Sequence, residues 1–185
     1  MLTPLRLYTV AELEAFESLP ENANRLFELV NGEIVEKAMP TELHGLIVAN
    51  LIAALWLFIK QSGLGRVGVE IRSQLPVDAH NARQPDISYY ADTSRPIVER
   101  GAVATLPDLA VEVKSPDDTY RLMREKADYY LANGSRMVWL IYPEKRLVEA
   151  HTPDGFDLLG EADTLTGGAV LPGFALAVKD IFPAS

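Results

Sequence analysis

Leu109-Ala110-Val111-Glu112-Val113-Lys114-Ser115, a helix-length stretch stopping at Asn133-Gly134, and then Met137-Val138-Trp139-Leu140-Ile141-Tyr142 read as strand, helix, strand. On a strand alternate side chains share a face, so Val111 and Val113 point one way while Glu112 and Lys114 point the other. An apolar face backing a charged one describes a buried strand that carries an acid and a base near its carboxyl end, where open α/β sheets place ligands. Ser115-Pro116-Asp117-Asp118 begins the next helix or the loop feeding it, because Ser caps, Pro suits a first turn and acids favour the positive helix end. That helix runs to about Ala132, and Gly134 supplies its stop. Met137 to Tyr142 is apolar almost throughout, as fully buried parallel strands are.

Working outward, Thr9 with Glu12 three residues on forms a capping box for a short helix carrying Leu13 and Phe16. Phe27-Glu28-Leu29-Val30-Asn31-Gly32-Glu33-Ile34-Val35-Glu36 places Asn-Gly between two apolar runs, the strongest short-range hairpin signal. A two-residue loop there sets Val30 against Glu33 and Glu28 against Val35, so two carboxylates share a face with two valines. Thr41 caps a long, largely buried helix in which Leu43, Ile47, Leu51, Leu55 and Phe58 recur at helical spacing up to Ser62-Gly63. Strands are expected at Val67–Ile71, Gln74–Val77, Asp86–Tyr90, Leu147–Ala150 and Phe156–Leu159, with a terminal piece around Val178–Phe182 and an exposed connection from Ala91 to Pro107. The order of elements predicts an α/β (α+β) sandwich: a central mixed β-sheet flanked by helices, with an N-terminal β-hairpin. No repeat, linker or low-complexity segment interrupts the chain, so residues 1–185 are read as one domain.

Composition narrows the class. The 185 residues are 48% hydrophobic and 23% charged, enough for one well-buried core. With no cysteine, disulfides and thiolate metal sites are excluded, and three histidines leave little for zinc. The first residues lack the basic flank and apolar block of a secretion signal, and the apolar run Leu46–Ile59, broken by Asn50, falls short of a bilayer span. A soluble, cytoplasmic protein without a membrane partner is expected. The net charge of −9 runs against a basic nucleic-acid surface. Its distribution softens the objection: residues 1–60 hold 4 basic and 8 acidic side chains, residues 140–185 hold 3 and 7, but residues 61–139 hold 10 and 11.

That central segment carries the candidate chemistry. Asp86 follows Pro85 at the head of a strand, twenty-six residues before Glu112. If the two strands are neighbours, about 4.8 Å apart, with i and i+2 residues about 6.6 Å apart, two carboxylates and the Lys114 ammonium converge. Magnesium takes oxygen ligands, keeps several waters and is typically held by one or two carboxylates plus substrate phosphate. Asp86 and Glu112 would supply the carboxylates and the Val113 backbone carbonyl a third oxygen. Lys114 would orient or activate the attacking water and stabilise charge on the phosphate. Taken alone, Glu112-x-Lys114 reads as a solvated charged face. The apolar opposite face, the position before a helix, Asp86, and Lys126 on the core side of that helix favour a site.

These residues resemble a known superfamily. Asp86 after a proline, followed by Glu112-Val113-Lys114, is similar to the signature of the PD-(D/E)XK nucleases. Within it the chain resembles a bacterial family described as "putative restriction endonuclease". The likeness rests on Phe27–Glu33, His44 in the helix after Met39-Pro40, Glu112–Pro116, Lys126 with Tyr130 and Gly134, Val138–Pro143 and Leu171–Phe174, and it covers roughly residues 8 to 182. It implies a restriction-endonuclease-like core, divalent metal (Mg2+ or Mn2+) at Asp86 and Glu112, and hydrolysis of DNA phosphodiester bonds. Many members carry leucine where this chain has Lys114, leaving Lys126 as a substitute; both lysines are present here. A homodimer or higher homo-oligomer is expected, since two-strand cleavage usually needs paired sites.

Other residues keep two readings. His44 is a proton shuttle or extra ligand, or a half-buried, hydrogen-bonded histidine. Glu28 and Glu33 form an accessory metal site, or one of them pairs with Arg25 or Lys37. Tyr89, Tyr90, Tyr129 and Tyr130 stack on bases or fill the core, and Arg121 and Arg124 meet phosphate or line a solvated helix face. The rival to an enzyme is a non-catalytic or regulatory domain of the same fold that binds a protein or nucleic-acid partner.

Overall fold

In the computed structural model residues 6–184 are described, so the expectation about the first residues lies outside them. Two compact units emerge: one from residues up to Met39 with Arg72–Gln84 and Val98–Thr105, the other from Pro40–Ile71, Pro85–Ile97 and the chain from Leu106 onward.

The first unit holds α1 (Val10–Glu17) and the hairpin β1 (Phe27–Val30) and β2 (Glu33–Glu36). Thr9 and Glu12 form the expected capping box. Asn31 and Gly32 both take positive φ, 51° and 81°, the type I′ geometry that matches strand twist. The ladder pairs Val30 with Glu33 and Glu28 with Val35, as the loop length dictates. Val10, Leu13, Phe27, Leu29 and Ala82 form a small apolar core. Leu29 bonds Ala82 through both backbone groups. Gly32 is required twice over, since a Cβ would lie 2.8 Å from the Leu7 Cβ at a φ that L side chains avoid. No strand forms at Gln74–Val77, a correction to the sequence reading. Pro76 removes a ladder donor and Asp78 N–H turns back to the Leu75 carbonyl.

The second unit is a six-stranded mixed sheet ordered β3-β4-β5-β6-β7-β8, with β3 Arg66–Val69, β4 Ile87–Tyr90, β5 Leu109–Val113, β6 Met137–Tyr142, β7 Leu147–Thr152 and β8 Gly155–Leu159. Only β5 and β6 run parallel, because only they are joined through a helix, α3 (Tyr120–Ala132). This is the anticipated central mixed sheet flanked by helices. The helix α2 (Glu42–Ser62), capped by Thr41 and stopped by left-handed Gly63, packs Ile47, Leu51, Leu55 and Ile59 against Ile87, Val111, Val113, Trp139 and Ile141. Glu112, alternating with those valines, faces α3. A hairpin of β9 (Thr164–Gly167) and β10 (Leu171–Ala177), unforeseen from sequence, brings Leu165, Leu171 and Phe174 into the α2-side core. The piece at Val178–Asp180 is a 3-10 turn.

One alternative is decided here and one expectation changes. The loop alternative holds at Ser115, whose N–H and hydroxyl both bond Asp118, so α3 waits for its cap, Thr119. The helix α2 is buried on one face only: Leu43, Leu46, Trp56 and Leu57 are 42%, 44%, 53% and 51% exposed. Its 21 residues also meet the length and hydropathy of a bilayer span, which the run Leu46–Ile59 alone does not.

Glu149 on β7, 3% exposed, gathers Arg124 of α3, the Tyr142 hydroxyl and His151. Burial pushes the Glu149 carboxyl up, but hydrogen bonds from Arg124, His151 and Tyr142 outweigh it and hold the group below its usual 4.5. Burial, with Glu149 alongside, pushes the Tyr142 phenol well up.

Two predictions follow from these packings. Gly32→Ala lowers stability by about 1–3 kcal/mol, read from the urea midpoint, through its left-handed backbone and the Leu7 contact. A group whose pKa is depressed on folding stabilises above its unfolded pKa and loses that contribution as pH falls through the folded one. Glu149→Gln therefore flattens the fall in melting temperature below about pH 4.5 relative to wild type, and a parallel fall in both would contradict the assignment.

Candidate active site

Pro85 breaks the chain into β4, and Asp86 stands immediately before the strand's first residue, 4% exposed. β4 pairs with β5 through Ile87↔Val111, so Asp86 lies one step further along, toward Glu112. One oxygen, Oδ2, accepts the Val113 N–H at 2.7 Å and sits 3.1 Å from His44 Nε2. An ionised carboxylate can only accept, so this pairing places a proton on Nε2. His44 comes from the first turn of α2, where its own N–H is capped by Thr41. The half-buried, hydrogen-bonded reading of His44 is met, and its partner is the candidate ligand Asp86.

Glu112, 2% exposed within β5, is held from α3. Lys126 Nζ reaches Oε2 at 2.8 Å and the Tyr130 hydroxyl donates to Oε1 at 2.8 Å. Residues four apart on a helix share a face, so one helical turn delivers both donors to one carboxylate. A buried carboxylate demands such partners, because stripping water from an unpaired charge costs several kcal/mol.

Lys114 is placed differently from the expectation. It follows the end of β5, its ammonium donates to the Ser115 carbonyl at 3.1 Å, lies 3.5 Å from Glu144 Oε1 and sits 5.7 Å from the Tyr120 ring centre. Lys126, not Lys114, is the ammonium on Glu112. The Lys114 head group lines a cavity of about 340 Å³ with Thr41, Leu43, His44, Pro116, Pro143 and Glu144. Burial raises the Glu144 carboxyl, but the Tyr120 hydroxyl, its own backbone and Lys114 bring it below the usual carboxylate value.

Among the described residues no three His, Asp or Glu side chains cluster closely enough to hold a metal by themselves. The donor set nonetheless fits a hard cation that retains water: two buried carboxylates at neighbouring strands, with oxygen the only ligand type. A lysine and a phenol on Glu112 do not preclude this, since each carboxylate oxygen has two lone pairs.

The other candidates have their own partners or settings. Glu28 is buried and accepts the Gln84 N–H at 2.7 Å, while Glu33 is exposed on β2. Arg25 pairs with Glu36, and Lys37 donates to the Gln84 carbonyl. Tyr89, Tyr90 and Tyr130 are core residues, 2%, 2% and 0% exposed. Arg124 pairs with Glu149, and Arg121 with Glu125. Sequence reasoning passed over Tyr130 as a Glu112 partner, although its spacing from Lys126 signals it, and passed over Glu144 and the Glu149–His151 pair, which depend on register between distant strands.

Comparison with known proteins bears on the fold and the family. A solved structure described as a putative nuclease belonging to DUF820, from Anabaena variabilis, superimposes with a TM-score of 0.78 at 25% identity, over 94% of this chain and 97% of that one. No curated protein matches the chain. The family model Uma2, described as "Putative restriction endonuclease", matches residues 13–179, spanning the β1–β2 hairpin, α2, α3 and the whole six-stranded sheet, and the chain therefore belongs to that family.

Proposed function

We propose that this chain is a Mg2+-dependent endonuclease (Mn2+ serving in its place) that hydrolyses DNA phosphodiester bonds in the cytoplasm, and that its two units form one functional domain. The observation that carries the reading is the pair of buried carboxylates, Asp86 and Glu112, at adjacent strands, each pinned by dedicated donors. Asp86, Glu112 and the Val113 carbonyl would hold the cation. A bound divalent ion supplies charge neutralisation at the phosphate and a water of lowered pKa.

The chain's own residues supply the rest. Tyr130 and the Val113 N–H fix the rotamers of the two carboxylates, so little reorganisation remains at reaction. Lys126 takes the role the sequence pattern gave to Lys114: its ammonium at Glu112 orients water and offsets charge developing on the phosphate. Lys114, tethered to Glu144 at the cavity wall, binds a phosphate oxygen of the substrate backbone. His44 holds Asp86 through Nε2 and provides a proton-bearing nitrogen at the cavity edge. Glu28 serves the Gln84 backbone, which favours a structural role for it over an accessory metal site.

The second reading, a non-catalytic domain that binds a partner through the same fold, is favoured by the net charge of −9. Nicking of supercoiled plasmid separates the two. With Mg2+ or Mn2+ the wild type nicks, and chelation stops it. Asp86→Asn and Glu112→Gln each lower the rate by about 100-fold or more, the scale of losing a preorganised electrostatic group. Lys126→Ala costs about 100-fold and Lys114→Ala only about tenfold, compared at a temperature below each variant's melting. Absence of cleavage on every DNA form, or cleavage indifferent to Asp86 and Glu112, removes the nuclease reading. Equal losses at the two lysines would reassign their roles.

A further inference from the structure

The solvent face of α2 has an unusual composition. From Leu43 to Ile59 the helix contains no Asp, Glu, Lys or Arg, although only Ile47, Leu51, Leu55 and Ile59 are buried. Leu46, Ala49, Ala53, Trp56 and Leu57 lie on the outward side, following one another at helical spacing, and all are exposed. An outward helix face is ordinarily charged, and contiguous apolar surface of this kind marks an interaction site. Charge appears only at the two ends: Glu42 in the first turn and Lys60 in the last, both exposed.

We propose that this face is a self-association surface, on which α2 of one copy packs antiparallel against α2 of a second copy about a two-fold axis. Opposite end charges and a symmetric apolar pattern select that occupant. In the register that sets Glu42 of each copy against Lys60 of the other, Leu46 meets Trp56 and Ala49 meets Ala53. Every contact is then made twice, as a closed two-fold interface requires. The alanines at the centre allow the helix axes to approach, and Trp56, 53% exposed with Lys60 stacked 4.7 Å over its ring, is the anchor. A lipid surface is the weaker occupant: membrane-lying helices carry Lys and Arg along their polar face, whereas α2 offers one lysine and the chain a net charge of −9. The pairing also has a consequence for the candidate site. Lys60 of the second copy comes to rest beside Glu42, between the cavity-lining Thr41 and Leu43, and so adds a cation at the cavity rim. The interface itself does not depend on the nuclease reading, since it can form whether or not the chain cuts DNA.

Sedimentation velocity of the full chain across concentrations up to about 100 μM tests the pairing. The wild type sediments at twice the chain mass. Trp56→Glu sediments as a monomer with unchanged circular dichroism and melting temperature, because the residue is exposed. Glu42→Lys and Lys60→Glu each weaken association by about tenfold or more, and the double exchange restores it to within about threefold of wild type. A wild type that stays monomeric, or a dimer indifferent to Trp56→Glu, overturns the surface. Failure of the double exchange to restore association overturns the antiparallel register. Flotation of the wild type with anionic phosphatidylglycerol vesicles, lost in Trp56→Glu, would assign the face to lipid instead. Plasmid nicking by the Trp56→Glu monomer, measured alongside, keeps the fate of the interface separate from that of the catalytic reading.

Discussion

The Glu112 carboxylate is buried near the carboxyl end of a strand paired on both sides, and much of the second unit is arranged to make that tolerable. An unpaired carboxylate there would lose its hydration with nothing in return. Lys126 and Tyr130 replace the lost water, and both come from α3, so the helix is held in one rotational setting over the sheet. Met123, Ala127 and Tyr130 are consequently the buried face of α3. The same logic recurs two strands away. Leu140 lies between Glu112 and Glu149 in the ladder, and Glu149 in turn draws Arg124, two residues before Lys126 on α3. Two buried acids thus meet two cations of one helix. Breaking either pair would leave a charge in the sheet interior, at a cost of about 3–5 kcal/mol.

This coupling bears on chemistry as well as stability. A carboxylate whose position is set by helix packing does not need to be reorganised when charge develops next to it. Asp86 is fixed by different means, a backbone N–H of the neighbouring strand and a histidine from the start of α2. The two acids are therefore oriented by opposite layers, α3 for Glu112 and α2 for Asp86. Lys114 stands apart, tethered to Glu144. With both lysines present, the chain has one ammonium at the carboxylate and another at the cavity wall.

Much of this was legible beforehand where the signal is local. Asn31-Gly32 set the hairpin register because a two-residue loop with positive φ at both positions admits one pairing. Thr9 with Glu12, Thr41 and Gly63 marked helix ends because a cap satisfies orphan backbone groups within three or four residues. The alternation around Glu112 and the continuous apolar run around Trp139 gave the two central strands, the one because an apolar face backs a charged one and the other because burial on both faces leaves no room for alternation. Legibility failed where the deciding partner is distant. Gln74–Val77 has strand-like composition, but its pairing stops at the bridges of Ser73 and the Gln74–Val103 bond before Pro76, which has no donor. The hairpin of β9 and β10 is interrupted by a register shift, so its pattern is broken in sequence. The α2 pattern of apolar residues on all sides reads as a buried helix, and only the absence of a layer outside it leaves Trp56 and Leu57 in water.

By itself the chain's order of residues determined most of the elements and the strand–helix–strand core and singled out the two candidate acids, since each follows from local spacing and from the insistence of apolar side chains on leaving water. Which ammonium serves Glu112 was a tertiary decision. Lys114 is two residues away along the strand and Lys126 is fourteen, yet α3 packs so that Lys126 and Tyr130 fall over the carboxylate, while Lys114, just past the strand's end, turns to Glu144. Sequence distance counts bonds along the backbone, whereas a buried charge is satisfied by whatever donor the packing of layers brings within hydrogen-bond reach.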